Sequence, residues 1–262
     1  MARFACAGLQ LAYDDIRPAA GEAGTAILVH GFAANRAETW RRLSWYAAFE
    51  RKGWRVIALD LRGHGESDKP HEPAAYDRAE MAADIIRLAD HLGLGRLALV
   101  GYSMGAHLAA ATAADHPSRV EHLVLGGVGA RSLERRPLGD GQMTMAQAMR
   151  AATAEDIAEP TLKGFRLFAD EQGADRLALA ACSEGQGPGL AESLDRLAAP
   201  TLIVAGARDE LAGDPQTLAD RVSGARAVTI PGCDHFSTTP HALFKAAVFD
   251  FLEGWEEDPW EP

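Results

Sequence analysis

Residues 99–109 read LVGYSMGAHLA: an apolar run, a serine flanked by glycines two positions away on each side, then an alanine-rich stretch. The change of pattern marks a strand running into a helix, with Ser103 on the corner. Gly101 and Gly105 permit a tight turn. Whether the turn serves only the chain, or serves to hold out the Ser103 hydroxyl, is decided by the surrounding sequence.

Other segments repeat the first half of that pattern. TAILVHGF (25–32), RVIALDLRG (55–63), RLALVGYS (96–103), VEHLVLGG (120–127), TLIVAGARD (201–209) and ARAVTIPGCDH (225–235) are short apolar runs ending in glycine or polar residues. Continuous apolarity predicts strands buried on both faces, as in a parallel sheet covered by helices. Helical spacing fills the intervals at 36–52, 79–93, 104–115, 215–223 and 241–253. In the first, Trp40, Leu43 and Ala47 share a side; in the second, Met81, Ile85, Leu88 and Leu92 are in register. The alternation predicts an α/β fold, a mostly parallel sheet flanked by helices. RFACAGLQLAYDDI (3–16) reads as an antiparallel hairpin at the sheet edge, turning near Ala7 and Gly8. Residues 131–195 show no strand, only short helical patterns broken by Pro137, Gly141, Pro160 and Gly173. They predict a small helical cap inserted after the sixth strand, with 1–130 and 196–262 forming the core domain.

The chain has 262 residues, 47% hydrophobic and 24% charged, an ordinary globular composition. Cys6, Cys182 and Cys233 are too few and too scattered for a disulfide framework or a zinc site, which suggests reduced thiols in a cytoplasmic protein. The opening residues lack a basic stretch followed by a long apolar one, so no signal peptide is expected. No run approaches the roughly 18 apolar residues of a membrane span. The net charge of −11 argues against nucleic acid and anionic lipid as partners. The acidic tail EGWEEDPWEP (253–262) reads as a solvated end. His71, His91, His116, His122 and His241 show no metal-ligand spacing, and no metal or cofactor is expected.

In an open parallel sheet, ligands bind beyond the carboxyl ends of the strands. Ser103, Asp209 and His235 each follow a predicted strand, and His30, Gly31 and Phe32 close another. A serine hydroxyl becomes a nucleophile when an imidazole takes its proton. The imidazole needs a carboxylate to fix its tautomer, and a tetrahedral intermediate needs backbone N–H donors at its oxygen. In G-x-S-x-G the serine occupies a strained strand-to-helix turn. The turn is therefore read as the means of exposing Ser103.

With HGF at 30–32, DLRGHGESD at 60–68, GYSMG at 101–105, GARDE at 206–210 and GCDHF at 232–236, in that order, the chain resembles the α/β-hydrolase superfamily. The resemblance implies that fold, with Ser103 as nucleophile, Asp209 as orienting acid and His235 as base. It also implies Phe32 and Met104 as oxyanion-hole donors, and a structural role for the 60–68 loop. Asp234 and Asp214 compete with Asp209; Asp234 adjoins His235 on a turn, where neighbouring side chains point apart. His30, Gly31, Phe32, Tyr102 and Phe236 are candidate substrate-binding residues, and Trp40 and Met104 are expected near the same pocket. His30 is also expected to brace the oxyanion loop, His64 to serve its own loop, and His107 to be structural. RSLERR (131–136) reads as a solvated hinge. A serine nucleophile disfavours the alkyl-ester chemistry of epoxide hydrolases and haloalkane dehalogenases, which needs a carboxylate there. The expected activity is cleavage of small-molecule carboxylic esters of short-to-medium acyl chains by water. Alternatives are an enol-lactonase, a carbon–carbon hydrolase of aromatic degradation, or a non-catalytic small-molecule receptor.

Overall fold

The computed structural model describes residues 2–19, 21–134, 142–185 and 189–254. Strands β1 (Ala2–Cys6) and β2 (Leu9–Ile16) form the expected edge hairpin. It turns through Ala7 and Gly8, both at positive φ, as two-residue hairpin loops favour. The remaining strands are β3 (Gly24–Val29), β4 (Trp54–Leu59), β5 (Leu97–Tyr102), β6 (Val120–Gly126), β7 (Thr201–Gly206) and β8 (Arg226–Ile230). One sheet holds all eight in the order β1-β2-β4-β3-β5-β6-β7-β8. From β4 to β8 every neighbouring pair is parallel, and β2 meets β4 antiparallel.

Strands β4, β5 and β7 are buried at every residue, which is why their sequences do not alternate. The two faces still separate residue by residue. Ile27 and Val29 of β3 join the core beneath α2 (Arg78–His91) and α3 (Met104–Asp115). Ala26 and Leu28 join the opposite core, beneath α1 (Trp45–Arg51) and α8 (Ala242–Leu252). In α2 the predicted Met81, Ile85 and Leu88 are all fully buried, and the Asp77 side chain caps its first turn.

The helix expected over 36–52 is two pieces: a π-helical turn at Ala37–Arg41, then α1. Ser44 between them has φ 62°, and this left-handed residue resets the helical phase. Consequently Ala47 is exposed, while Trp45, Tyr46, Ala48 and Phe49 are buried. The helix expected over 215–223 is shorter, α7 at Pro215–Ala219.

Between β6 and β7 the described residues contain no strand but three α-helices, α4 (Met145–Arg150), α5 (Pro160–Glu171) and α6 (Arg176–Gly185), with short 3-10 turns between and around them. Local sequence sets their starts. Thr144 and Gln147 form a capping box, and Glu159 accepts from the Thr161 and Leu162 amides ahead of Pro160. Met149, Phe165, Ala169 and Leu179 make a small core with Ala33, just beyond β3. Ala181, Cys182, Leu190 and Leu194 instead enter the main core. The expected cap is thus stitched into the body through α6 and the turns after it. Arg135, Arg136, Pro137, Gly141 and the tail beyond Gly254 lie outside the described residues. Among the described residues, no helix is long and apolar enough to cross a membrane, and no group of three or more His, Cys, Asp or Glu could hold a metal ion.

Strand β3 lies between β4 and β5, so the sheet order reverses there and a crevice opens beyond their carboxyl ends. Two loops close its floor. His30, fully buried, accepts from the Leu61 amide through Nε2 (3.1 Å) and donates from Nδ1 to the Gly31 carbonyl (2.8 Å). Burial pushes its pKa down to about 4, so it is a neutral brace between the loops after β3 and β4. Its candidacy as a substrate-binding residue is corrected: both ring nitrogens are engaged inside the protein. His64 donates to the Arg62 carbonyl, and burial, then His30, push it down to about 3. Asp60 accepts from the amides of Arg36 and Glu66 (2.8 Å each) and pairs with the Arg36 guanidinium. Burial raises the Asp60 carboxyl, against those donors.

The turn around Ser103 leaves no space for side chains on either glycine. A Cβ on Gly101 would lie 2.2 Å from the Gly105 carbonyl oxygen, and one on Gly105 would lie 2.2 Å from that of Val29. We therefore expect Gly105→Ala to cost roughly 3 kcal/mol or more of stability, because the obstacle is backbone that cannot yield. Urea unfolding that shifted by less than about 1 kcal/mol would contradict this packing. The buried imidazoles predict a second dependence. His30, His64 and His107 (the last also pushed down to about 3 by burial) are neutral when folded, and unfolded histidine titrates near about 6.5. Below that pH the unfolded chain binds protons that the native state refuses. Stability should fall as pH drops from about 6.5 toward about 4, by up to about 1.4 kcal/mol per pH unit for each histidine. Unfolding free energies that stay level between pH 7 and 5 would be inconsistent with it.

Candidate active site

Ser103 joins β5 to α3 at φ 54° and ψ −117°, a conformation that costs a non-glycine residue of order 1–3 kcal/mol. The sheet holds it there: the Ser103 amide donates to the Gly126 carbonyl at the end of β6 (2.8 Å). Its side chain points into the crevice. His235 Nε2 lies 3.0 Å from Ser103 Oγ, and His235 Nδ1 lies 2.8 Å from Asp209 Oδ2. The Nδ1–H donating to Asp209 leaves Nε2 to accept the serine proton. Strands β5, β7 and β8 therefore bring together the three residues the sequence singled out.

Each partner is fixed by its own loop. Asp209 follows β7, and its Oδ1 accepts from the amides of Leu211 (3.1 Å) and Ala212 (2.9 Å), leaving Oδ2 for the imidazole. Tyr102 donates its hydroxyl to the His235 carbonyl at 2.5 Å, anchoring the loop after β8 to the strand that carries Ser103. Asp209 and His235 are both buried. The competing carboxylates are spent locally and exposed. Asp234 accepts from the Phe236 and Ser237 amides, and the Ser237 hydroxyl holds its carboxyl below the usual range. Asp214 caps α7.

Two backbone segments border the serine. Met104 is the first residue of α3, so its N–H belongs to the helix's unpaired N-terminal set. Gly31 precedes Phe32 and approaches so closely that a Cβ on it would lie 3.3 Å from Ser103 Cβ. Ser103 and His235 open into a pocket of about 250 Å³. Phe32, Leu43 and Phe236 line it, with Phe165 and Phe168 from α5 forming a further wall. Gly31 and Tyr102 also reach it. Trp40 does not: it is fully buried and packs edge-on against Trp45. The Met104 side chain lies off this pocket as well, its sulfur 3.9 Å from Cys182 Sγ.

Glu38, Thr39, Thr239 and Pro240 are lining residues that sequence reasoning missed. For Glu38 and Thr39 the cause is the π-helical turn, which a 3.6-residue period does not register. Glu38 carries the one carboxylate among the lining residues, which include no Lys or Arg, and it pairs with Arg42 at 2.6 Å.

A family model described as alpha/beta hydrolase fold matches residues 26–182. The chain is 30% identical, over 94% of its length and 92% of the relative's, to the 2-hydroxy-6-oxononadienedioate/2-hydroxy-6-oxononatrienedioate hydrolase 2 of Pseudomonas putida. Its 34% identity to epoxide hydrolase 3 of Siraitia grosvenorii extends over 40% of this chain and 32% of that protein; the first curated relatives are matched over less than half of their own length. Among solved structures, the enol-lactonase from Burkholderia xenovorans LB400 superposes with a TM-score of 0.73 at 26% identity, covering 96% of this chain and all of that one. The chain belongs to the α/β-hydrolase fold family.

Proposed function

We propose that the protein is a serine hydrolase cleaving carboxylic esters of short-to-medium acyl chains through an acyl-enzyme on Ser103. One observation carries the reading: the continuous contact from Asp209 through His235 to Ser103 Oγ, opening into a small pocket with apolar walls. In this mechanism Ser103 attacks the ester carbonyl while His235 takes its proton, and Asp209 stabilises the imidazolium. The amides of Phe32 and Met104 would hold the developing oxyanion, the latter helped by the positive end of α3. His235 then gives the proton to the leaving alcohol. Water, activated by the same imidazole, releases the acid. No step calls on a metal or cofactor.

The size of the pocket supports small substrates. Its apolar walls support a neutral group there. An enol-lactone or carbon–carbon substrate is the second reading, favoured by likeness to the Pseudomonas putida hydrolase and the Burkholderia enol-lactonase along nearly the whole chain.

Turnover of a p-nitrophenyl ester panel tests the proposal, with intact-mass detection of an acyl group on Ser103. Binding of esters without turnover would favour a receptor instead. Ser103→Ala should lower kcat on the order of 10⁴-fold or more. Wild-type turnover by the folded variant would put the nucleophile elsewhere. The α5 phenylalanines are expected to tune selectivity while leaving bond-making to the core. Phe168→Ala should change relative kcat/KM among esters of different alcohols by roughly 10–200-fold. A profile that did not move would exclude α5 from the substrate pocket, and loss of all labelling by a small phosphonate would give it a catalytic part.

A further inference from the structure

Phe32 and Phe165 also line a second cavity of about 250 Å³, whose walls include Met104 and the polar side chains of Arg78, His107 and Ser183. Arg78 begins α2 with its guanidinium turned inward. Its Nε and Nη1 are buried and have no hydrogen-bond partner. No carboxylate among the described residues forms an ion pair with it; Asp77, which is engaged in capping α2, and Glu192 act on it only at longer range. The Nδ1 of His107 is likewise buried and unpartnered, and burial, then Arg78, keep that imidazole neutral.

An unpaired guanidinium inside a protein is expensive, and its planar fork of donors matches a carboxylate. A neutral imidazole N–H and a serine hydroxyl on the same cavity offer further donors to the same anion. The cavity is also close to the reacting centre. His107 lies one helical turn from Ser103 and donates its amide to the Ser103 carbonyl at 3.3 Å, which places it about 6 Å along the axis.

The two cavities divide the substrate by chemistry. His235 lines the first, and the imidazole must hand its proton to the leaving alcohol, so the alcohol belongs there. The acyl arm then runs the other way, past Phe32 and Met104. We propose that the Arg78 cavity is a subsite for an ionised carboxylate on the acyl arm, making the preferred substrate a half-ester of a short dicarboxylic acid. This rests on the acyl-transfer reading of Ser103. The Ser103 oxygen bonds to the ester carbonyl carbon, the bond to the alcohol oxygen breaks, and the serine proton leaves with the alcohol through His235. Water then cleaves the acyl-enzyme to free Ser103 and the dicarboxylate.

The test is calorimetric titration of Ser103→Ala, which binds without turnover, with monoethyl glutarate and with neutral ethyl valerate of the same chain length. The half-ester should bind roughly 10–100-fold more tightly, the range of a charge-assisted hydrogen bond. Arg78→Gln in the same background should erase the preference, and Arg78→Lys should keep part of it. Ser183→Asp supplies an internal carboxylate to the cavity and should erase it too, so the question stays answerable if Arg78→Gln does not fold. Equal affinities, no detectable binding of the half-ester, or a preference that survives the folded variants would overturn the proposal. So would acetate binding as tightly as the half-ester, which would make this an anion pocket unconnected to substrate. Failure of the esterase reading is separate: it would appear as absent p-nitrophenyl butyrate turnover by the wild-type chain while the half-ester preference at Arg78 persists.

Discussion

The site depends on two backbones meeting where no side chain can intervene. The first turn of α3 rests directly on the carboxyl end of β3, with Gly105 against the Val29 and His30 carbonyls and Gly101 against Gly105 itself. That contact fixes where α3 starts. It forces Ser103 to positive φ, and it sets the Met104 amide beside the serine. A residue with a Cβ at either glycine would lift α3 off the sheet and carry the hydroxyl away from His235. The local strain is held by what surrounds it, from the bond to Gly126 on one side to the loop after β3 on the other.

That loop is held by buried polarity as well as by the apolar packing of Phe32 and Ala33. Asp60 gathers Arg36 and Glu66, while Ser67 donates to the Asp60 carbonyl and accepts from Ala12 of β2. Gly65 has to be glycine because a Cβ there would lie 2.1 Å from the Asp60 carboxylate. Buried charge pairs add little net stability, since desolvation offsets most of their attraction, but removing one partner is costly. Such a network resists substitution at every member. This accounts physically for so recognisable a string as DLRGHGESD in a loop without catalytic side chains.

The strands and the meeting of Ser103, His235 and Asp209 were legible in the sequence because each is set by local rules. Fully buried strands read as apolar runs, and each of Ser103, Asp209 and His235 sits where a run ends. The choice of Asp209 over Asp234 was legible too, since a residue beside His235 on a turn points elsewhere and finds its partners in Phe236 and Ser237. What periodicity cannot report is a change of helical phase. Ser44 turns one expected helix into a π-helical turn and α1, sending Trp40 into the core and Glu38 and Thr39 to the pocket. Nor does composition reveal pairing: Arg78 looks like any charged residue opening a helix, and only the folded chain shows its donors without acceptors.

The helical insertion is held unevenly along its length. Its far end is rigidly tied, since Ala181, Cys182, Leu190 and Leu194 share the core that supports α2 and α3. Its middle is tied within the insertion: α5 contributes Phe165 and Ala169 to a small cluster, sends the buried Arg166 to the Ala148 and Ala151 carbonyls, and leaves Leu167 about half exposed. The phenylalanines that border the first pocket therefore sit on a part of the insertion that stays outside the main core. Ser103, His235 and Asp209 take no contact from α5 in their mutual hydrogen bonds. Changes on α5 can consequently reshape the pocket without disturbing the strained turn beneath it. Changes on α6 cannot, because its Cys182 packs on Met104, the residue next to Ser103.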